Sequence, residues 1–270
     1  MINSFETNLN SVPEDVLGLL LGLQDELNCM MAGGDWIQRD LPFSCAIFEE
    51  LQELIGHTGW EWWKPASPVN RMQMKLEVVD IFHFMISHFI SSENRREYCV
   101  IKGNLFSFDL IPTKVLAERL NRAISSLDEK STADSLPLLC AKLICAIEDE
   151  TRGADYRMVL MLFRDLMEHV ELNAYELILI YLGKYSLNRF RNDNGAKSGF
   201  YSKKWIEIGY EEDNDFMLEI ISLEIFPEVI FQSSESCYEF VDKIYEKISD
   251  KYDELIEKKN FINRSLSGKI

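Results

Sequence analysis

Four carboxylates in two short patterns carry the most chemistry in this 270-residue chain: Glu50 and Glu53 in an E-x-x-E step, Glu77 and Asp80 in an E-x-x-D step. On a helix, residues three apart project from neighbouring points of one surface, so each pair can share an ion. An isolated E-x-x-E is most often an ordinary solvated acidic face. The second pair alters that reading, because Leu76-Glu-Val-Val-Asp-Ile-Phe-His-Phe-Met-Ile is apolar nearly all the way round, as a buried helix is. No Lys or Arg occurs between Leu76 and Asn94 to pair with Glu77 and Asp80 locally. Buried carboxylates must be protonated, paired or metal-bound. Four of them on two facing helices are hard oxygen ligands, which suit magnesium, with manganese as the alternative, better than zinc or copper. A carboxylate-bridged di-iron bundle is the rival from another class, an oxidoreductase, but it wants Glu-x-x-His from each of two helices. Only Asp80-Ile-Phe-His83 approximates that motif, and His57, His88 and His169 have no acid three residues earlier. His83 therefore reads as a hydrogen-bonded wall residue rather than a ligand.

The second chemical feature has the opposite sign. From Lys184 to Lys204 the chain carries Lys184, Arg189, Arg191, Lys197, Lys203 and Lys204 against a single acid, Asp193. Interleaved with Asn188, Gly195, Gly199, Tyr201 and Trp205, this segment offers charged and backbone donors to polyphosphate oxygens, although a merely soluble basic loop has the same composition. Neither the Walker sequence G-x-x-x-x-G-K-[ST] nor G-x-G-x-x-G is present, so P-loop and Rossmann chemistry are unsupported.

The elements that must position these groups read as helices. Apolar residues recur at three- and four-residue spacing, and strand-like alternation is scarce. Helices are expected at roughly 13–31, 43–56, 72–92, 112–127, 134–150, 155–169, 173–192, 214–222 and 235–260, separated by breaks at 33–35, 56–70, 94–109 and 192–199. On the first acidic helix Ile47, Leu51 and Leu54 form the buried stripe, with Glu50 and Glu53 along its border. The stretch from Lys247 to Lys259 alternates charge with sparse apolar residues and reads as a solvated helix face or a mobile tail. An apolar content of 47% supports a substantial core, and the whole chain reads as a single all-α domain. The net charge of −17 argues against a nucleic-acid partner. Six scattered cysteines (29, 45, 99, 140, 145 and 237) read as reduced core thiols. The longest apolar run near the N-terminus, Leu17 to Leu23, is far shorter than the ~20 residues of a membrane span, so a soluble, cytoplasmic protein with no membrane partner is expected.

Several separated blocks carry a resemblance: Gln24-Asp-Glu-Leu-Asn28, Asp35-Trp36, Ala46 to Glu53, His57-Thr-Gly-Trp-Glu-Trp-Trp-Lys64, Leu76 to Phe84, and Gly183 to Gly195 followed by Tyr201-Ser-Lys-Lys-Trp205 and Glu212-Asp-Asn214. In this order they resemble the dimeric, all-α dUTP pyrophosphatases, within the superfamily that also holds MazG-like enzymes. The resemblance is clear over about residues 20–90 and 175–220. It implies a helical bundle with a family-variable helical insertion at about 95–165 and a charged C-terminal helix, to which no function is assigned. It also implies a homodimer. The implied activity is hydrolysis of dUTP to dUMP and pyrophosphate at a magnesium site matched by Glu50, Glu53, Glu77 and Asp80, with Glu50 orienting the attacking water and attack at the β-phosphorus. Gln24 and Asn28 would read the pyrimidine edge, Trp63, His83 and Phe84 would line the base, and Lys184, Asn188, Arg191, Lys203 and Asn214 would hold phosphates or close the site. The chain departs from the family pattern at Ala196, where an aromatic residue is common. A related phage type that also accepts dCTP is the runner-up, dUDP is a further candidate ligand, and a catalytically silent nucleotide-binding descendant is a third reading, opposed by the intact acidic and basic motifs.

Overall fold

The structure, a computed structural model, describes residues 9, 12–65, 68–101, 110–127, 134–151, 156–223 and 234–267. Among these, α-helices follow one another as α1 (Glu14–Ala32), α2 (Phe43–Gly56), α3 (Arg71–Ile101), α4 (Thr113–Ser125), α5 (Leu136–Thr151), α6 (Tyr156–His169), α7 (Ala174–Asp193), α8 (Asp213–Leu223) and α9 (Ser234–Ser267). Only one isolated bridge, Lys204 with Glu212, has β character among the described residues. None of the described helices is long and apolar enough to cross a membrane. The chain divides into two compact units, Met1–Ile178 and Leu179–Ile270.

In the first unit α3 is central, touched by α1, α2, α6 and the 3₁₀ turn Trp36–Gln38. Its composition dictates this position. Leu76, Val78, Val79, Ile81, Phe82, Met85, Ile86, Phe89 and Ile90 are all buried, and residues so spaced occupy every side of a helix. Within the chain, α1, α2, α6 and the 3₁₀ turn pack against that apolar circumference. Phe82 stacks on Phe163 of α6 at 5.2 Å, and the Tyr156 hydroxyl donates to the Met85 carbonyl at 2.7 Å. Helix α1 starts after Pro13, carries Glu14 and Asp15 in its first turn, where the helix dipole favours acids, and ends at Gly33 with φ +97°. α3 continues past the expected break at Asn94 because no glycine or proline intervenes before Gly103. Asn94 stays helical, donating to the Ile90 carbonyl at 2.8 Å, and its Oδ1 accepts the backbone N–H of Ile111.

In the second unit the later part of α7, the connecting segment 194–212, α8 and α9 surround an aromatic cluster. Phe190 meets Tyr201, Tyr245 and Tyr252 edge-on at 5.9, 5.6 and 5.3 Å, and Trp205 lies against Phe216 and Tyr252. The stretch from Lys247 to Lys259 is therefore neither a wholly solvated face nor a loose tail. Ile248, Tyr252 and Leu255 recur at helical spacing, and that one stripe is enough to seat α9. α8 approaches α7 closely at Gly183, where a β-carbon would lie 2.2 Å from Ile221 Cδ1 and 2.7 Å from Met217 Sδ.

Of the described cysteines, all are free thiols, but only Cys140 and Cys237 are buried. Cys45 and Cys145 are exposed, correcting the expectation of core thiols throughout; Cys99 lies outside the described side chains. Burial pushes the Cys140 thiol up to about 11.

Candidate active site

The first group of functional side chains lies on α2 and α3, which run against each other. On α2 the buried residues Phe43, Ile47, Leu51 and Leu54 face inward at spacings of four, four and three. Glu50 and Glu53 flank that stripe, the first half-buried and the second exposed, while Glu77 on α3 is buried. Ligand oxygens of Glu50, Glu53 and Glu77 lie within 4.8 Å of one another. Three carboxylates so close repel one another when ionised, and a hard divalent cation relieves that repulsion through its preferred oxygen donors. The donor set fits such a cation. Asp80 is half-buried one turn along α3 from Glu77 and is not one of the three gathered acids.

The expectation that Glu77 lacks a protein partner is corrected. His57, at the C-terminal end of α2, places Nε2 3.1 Å from Glu77 Oε1. With the carboxylate as acceptor, the imidazole donates and fixes the orientation of the acid. His57 stands in the His57-Thr-Gly-Trp block, but nothing in its spacing to position 77 advertises the contact, which depends on how α2 meets α3.

Gln24 and Asn28, four apart on α1, join a hydrogen-bonded chain with α3. Gln24 Oε1 meets His83 Nδ1 at 2.7 Å, Gln24 Nε2 donates to Asn28 Oδ1 at 3.2 Å, and Asn28 Nδ2 donates to Ser87 Oγ at 2.9 Å. The Ser87 hydroxyl donates to the His83 carbonyl at 2.9 Å. Gln24, His83 and Ser87 are buried and Asn28 is half-buried. The amides are thereby held in one orientation, and Ser87 is a member that the sequence did not single out. Phe84 is half-buried on the same helix. Trp63, in contrast, is 53% exposed in the loop after α2, with Trp60 and Trp62 as ring neighbours at 5.0 and 5.6 Å.

The second unit gathers four of the five residues expected to contact phosphate. Lys184 Nζ donates to Asn214 Oδ1 at 3.3 Å, and the same oxygen accepts Arg191 Nη2 at 3.2 Å. Arg191 Nη1 donates to Asn188 Oδ1 at 3.2 Å. Lys184 and Arg191 are buried, whereas Lys203 is exposed and joins only through its carbonyl, which accepts the Asp213 N–H at 2.9 Å. At the centre is Asp213, 0% exposed. Its two oxygens take Arg191 Nε at 2.8 Å and Nη2 at 2.6 Å, and Oδ2 also accepts the Tyr201 hydroxyl at 2.7 Å. Sequence reasoning missed Asp213; its only signal was its place inside Glu212-Asp-Asn214. The intervening segment is shaped by Gly195 and Gly199, both with φ in the left-handed region, so the turn bearing Ala196 depends on glycine at its two ends.

A family model described as dUTPase matches residues 16–196. The chain belongs to the all-α dUTPase family, whose members are nucleoside triphosphate pyrophosphohydrolases that use a divalent metal. No curated protein matches it.

Proposed function

We propose, with membership of that family as the premise, that the chain hydrolyses dUTP to dUMP and pyrophosphate in a magnesium-dependent reaction served by Glu50, Glu53, Glu77 and Asp80. The observation that carries the reading is the gathering of three acids from two helices within 4.8 Å. Bound magnesium, with manganese as the alternative, would polarise the phosphate chain and lower the pKa of an attacking water. Glu50, half-buried among the three, is assigned to orient that water. Attack at the β-phosphorus is the expectation taken from the family. His57 holds Glu77 in place from outside the acidic group. Lys184, Asn188, Arg191, Lys203 and Asn214 are assigned to the phosphates, and a homodimer is the expected assembly.

Base choice rests on Gln24 and Asn28, with Phe84, His83 and Trp63 as walls. An amide nitrogen carries two hydrogens. With one hydrogen of Asn28 Nδ2 committed to Ser87 Oγ, the direction of the second is fixed, and there it would pair with the 4-oxygen of uracil and oppose the 4-amino group of cytosine. This arrangement supports dUTP above dCTP. The experiment is pyrophosphate release from dUTP, dCTP, dTTP and UTP, and orthophosphate release from dUDP, with magnesium or EDTA, for wild type and Glu50→Gln. EDTA should abolish turnover and Glu50→Gln should cost at least about a hundredfold in kcat. Full activity in EDTA would refute the metal assignment, and equal kcat/KM for dUTP and dCTP would move the substrate assignment to the dual-specificity type.

A further inference from the structure

The buried network of the second unit contains two groups to which the phosphate-binding reading gives no task, Asp213 and Tyr201. A carboxylate withdrawn completely from water is costly unless it is paired and hydrogen-bonded, and Asp213 accepts from two guanidinium nitrogens and a phenol, while its backbone N–H donates to the Lys203 carbonyl. The guanidinium is held through Nε and Nη2, so its Nη1 edge is directed toward Asn188. Asn214 offers one oxygen to both Lys184 and Arg191, which brings two cations within reach of a single acceptor. Like charges so close repel, and Asp213 is the counter-charge that lets them sit together before any anionic ligand arrives.

We infer that Asp213 and Tyr201 are positioning residues that hold Arg191, and through Asn214 also Lys184, in a preformed arrangement for the phosphate chain of the substrate. The inference rests on the phosphate-binding reading of Arg191 and Lys184. Tyr201 closes the far side of the network. Burial first, and then the charge of Asp213, raise its phenol above the ordinary range, so it remains a donor at every pH at which the enzyme is assayed. Preformed cations gain affinity because the substrate does not meet the cost of ordering them.

The test compares wild type, Tyr201→Phe, Asp213→Asn, Arg191→Ala and the double variant Tyr201→Phe/Arg191→Ala. The readouts are kcat and KM for dUTP, and Ki for dUMP, which lacks the outer phosphates. Tyr201→Phe keeps the ring and its packing and removes one hydrogen bond to a charged group, so KM for dUTP should rise roughly tenfold while Ki for dUMP moves by less than about twofold. Arg191→Ala should raise KM further, and adding Tyr201→Phe to it should change little, because the phenol acts through the guanidinium. Asp213→Asn should follow Arg191→Ala if it folds; Tyr201→Phe decides the matter if it does not. A double variant whose KM rises by the product of the single effects, or a Ki for dUMP that rises in step with KM, would overturn the inference. An Arg191→Ala effect with none from Tyr201→Phe would overturn it while leaving the phosphate reading intact. An Arg191→Ala variant with wild-type KM would refute the phosphate reading, and the inference with it.

Discussion

Gly183 allows the tightest approach of two helices in the second unit, and Gly183→Ala isolates what that approach is worth. The added β-carbon would lie 2.2 Å from Ile221 Cδ1 and 2.7 Å from Met217 Sδ. Carbon pairs rest at about 3.5–4.0 Å, so the Ile221 methyl must retreat by roughly 1.3 Å or more, while the flexible Met217 thioether swings aside at less cost. Overpacking of this kind costs about 1–3 kcal/mol, and alanine's better helix propensity returns about 1 kcal/mol at most. A net loss of about 1 kcal/mol is expected, the middle of the roughly 0–2 kcal/mol that remains. Ile221→Val removes the Cδ1 methyl and alone costs about 0.5–1.5 kcal/mol. Combined with Gly183→Ala it should cost less than the sum, with a coupling of about 1 kcal/mol, because the new methyl occupies the space vacated. The assay is urea unfolding of the four proteins by circular dichroism. A Gly183→Ala midpoint equal to that of wild type, or strictly additive effects in the double variant, would refute the reasoning.

Two further outcomes are expected. Substituting His57→Phe removes the donor to Glu77 Oε1 but leaves the three acids in place, so the magnesium concentration for half-maximal activity should rise about 10- to 100-fold; an unchanged metal titration would exclude His57 from that role. Glu171 holds φ at +57° in the turn after α6, a region that costs a non-glycine residue about 1 kcal/mol or more. Its exposed ion pair with Arg71 is worth less than that. Glu171→Gly should therefore stabilise the chain by about 0.5 kcal/mol, read as a rise in the thermal midpoint, and a fall would show that the ion pair outweighs the strain.

What could be read from the sequence was what helical periodicity controls. The helices occur in the expected order, and the i, i+3 spacing of Glu50 and Glu53 beside the stripe Ile47, Leu51 and Leu54 was enough to anticipate that both reach the same edge of α2. The apolar girth of α3 marked it as a buried helix, but not what covers it. Contacts between distant segments were illegible. Asp213 is 22 residues from Arg191 and looks like one more acid in an acidic run, and His57 meets Glu77 across the angle between two helices. Helix ends were misjudged where a polar residue was taken for a stop: Asn94 uses its side chain inside α3 rather than ending it. The C-terminal charge pattern hid the stripe of Ile248, Tyr252 and Leu255, since three inward residues in each pair of turns suffice to seat a helix.

The pairing of Arg191 with Asp213 also determines where this protein can be shortened. The family match ends at residue 196, which invites a minimal fragment that stops there. Such a cut keeps Arg191 and discards the carboxylate that neutralises it, together with Tyr201, Trp205 and Tyr252 from the aromatic cluster around Phe190. Arg191 then loses its ion pair and Phe190 its apolar cover, and the exposure of one core phenylalanine alone costs about 1.5–3 kcal/mol, a large share of the margin by which an ordinary domain stays folded. The stretch by which the family is recognised is thus shorter than the stretch that buries its own last helix, and a working fragment is expected to extend through Leu255, the last buried residue of α9 among the described side chains.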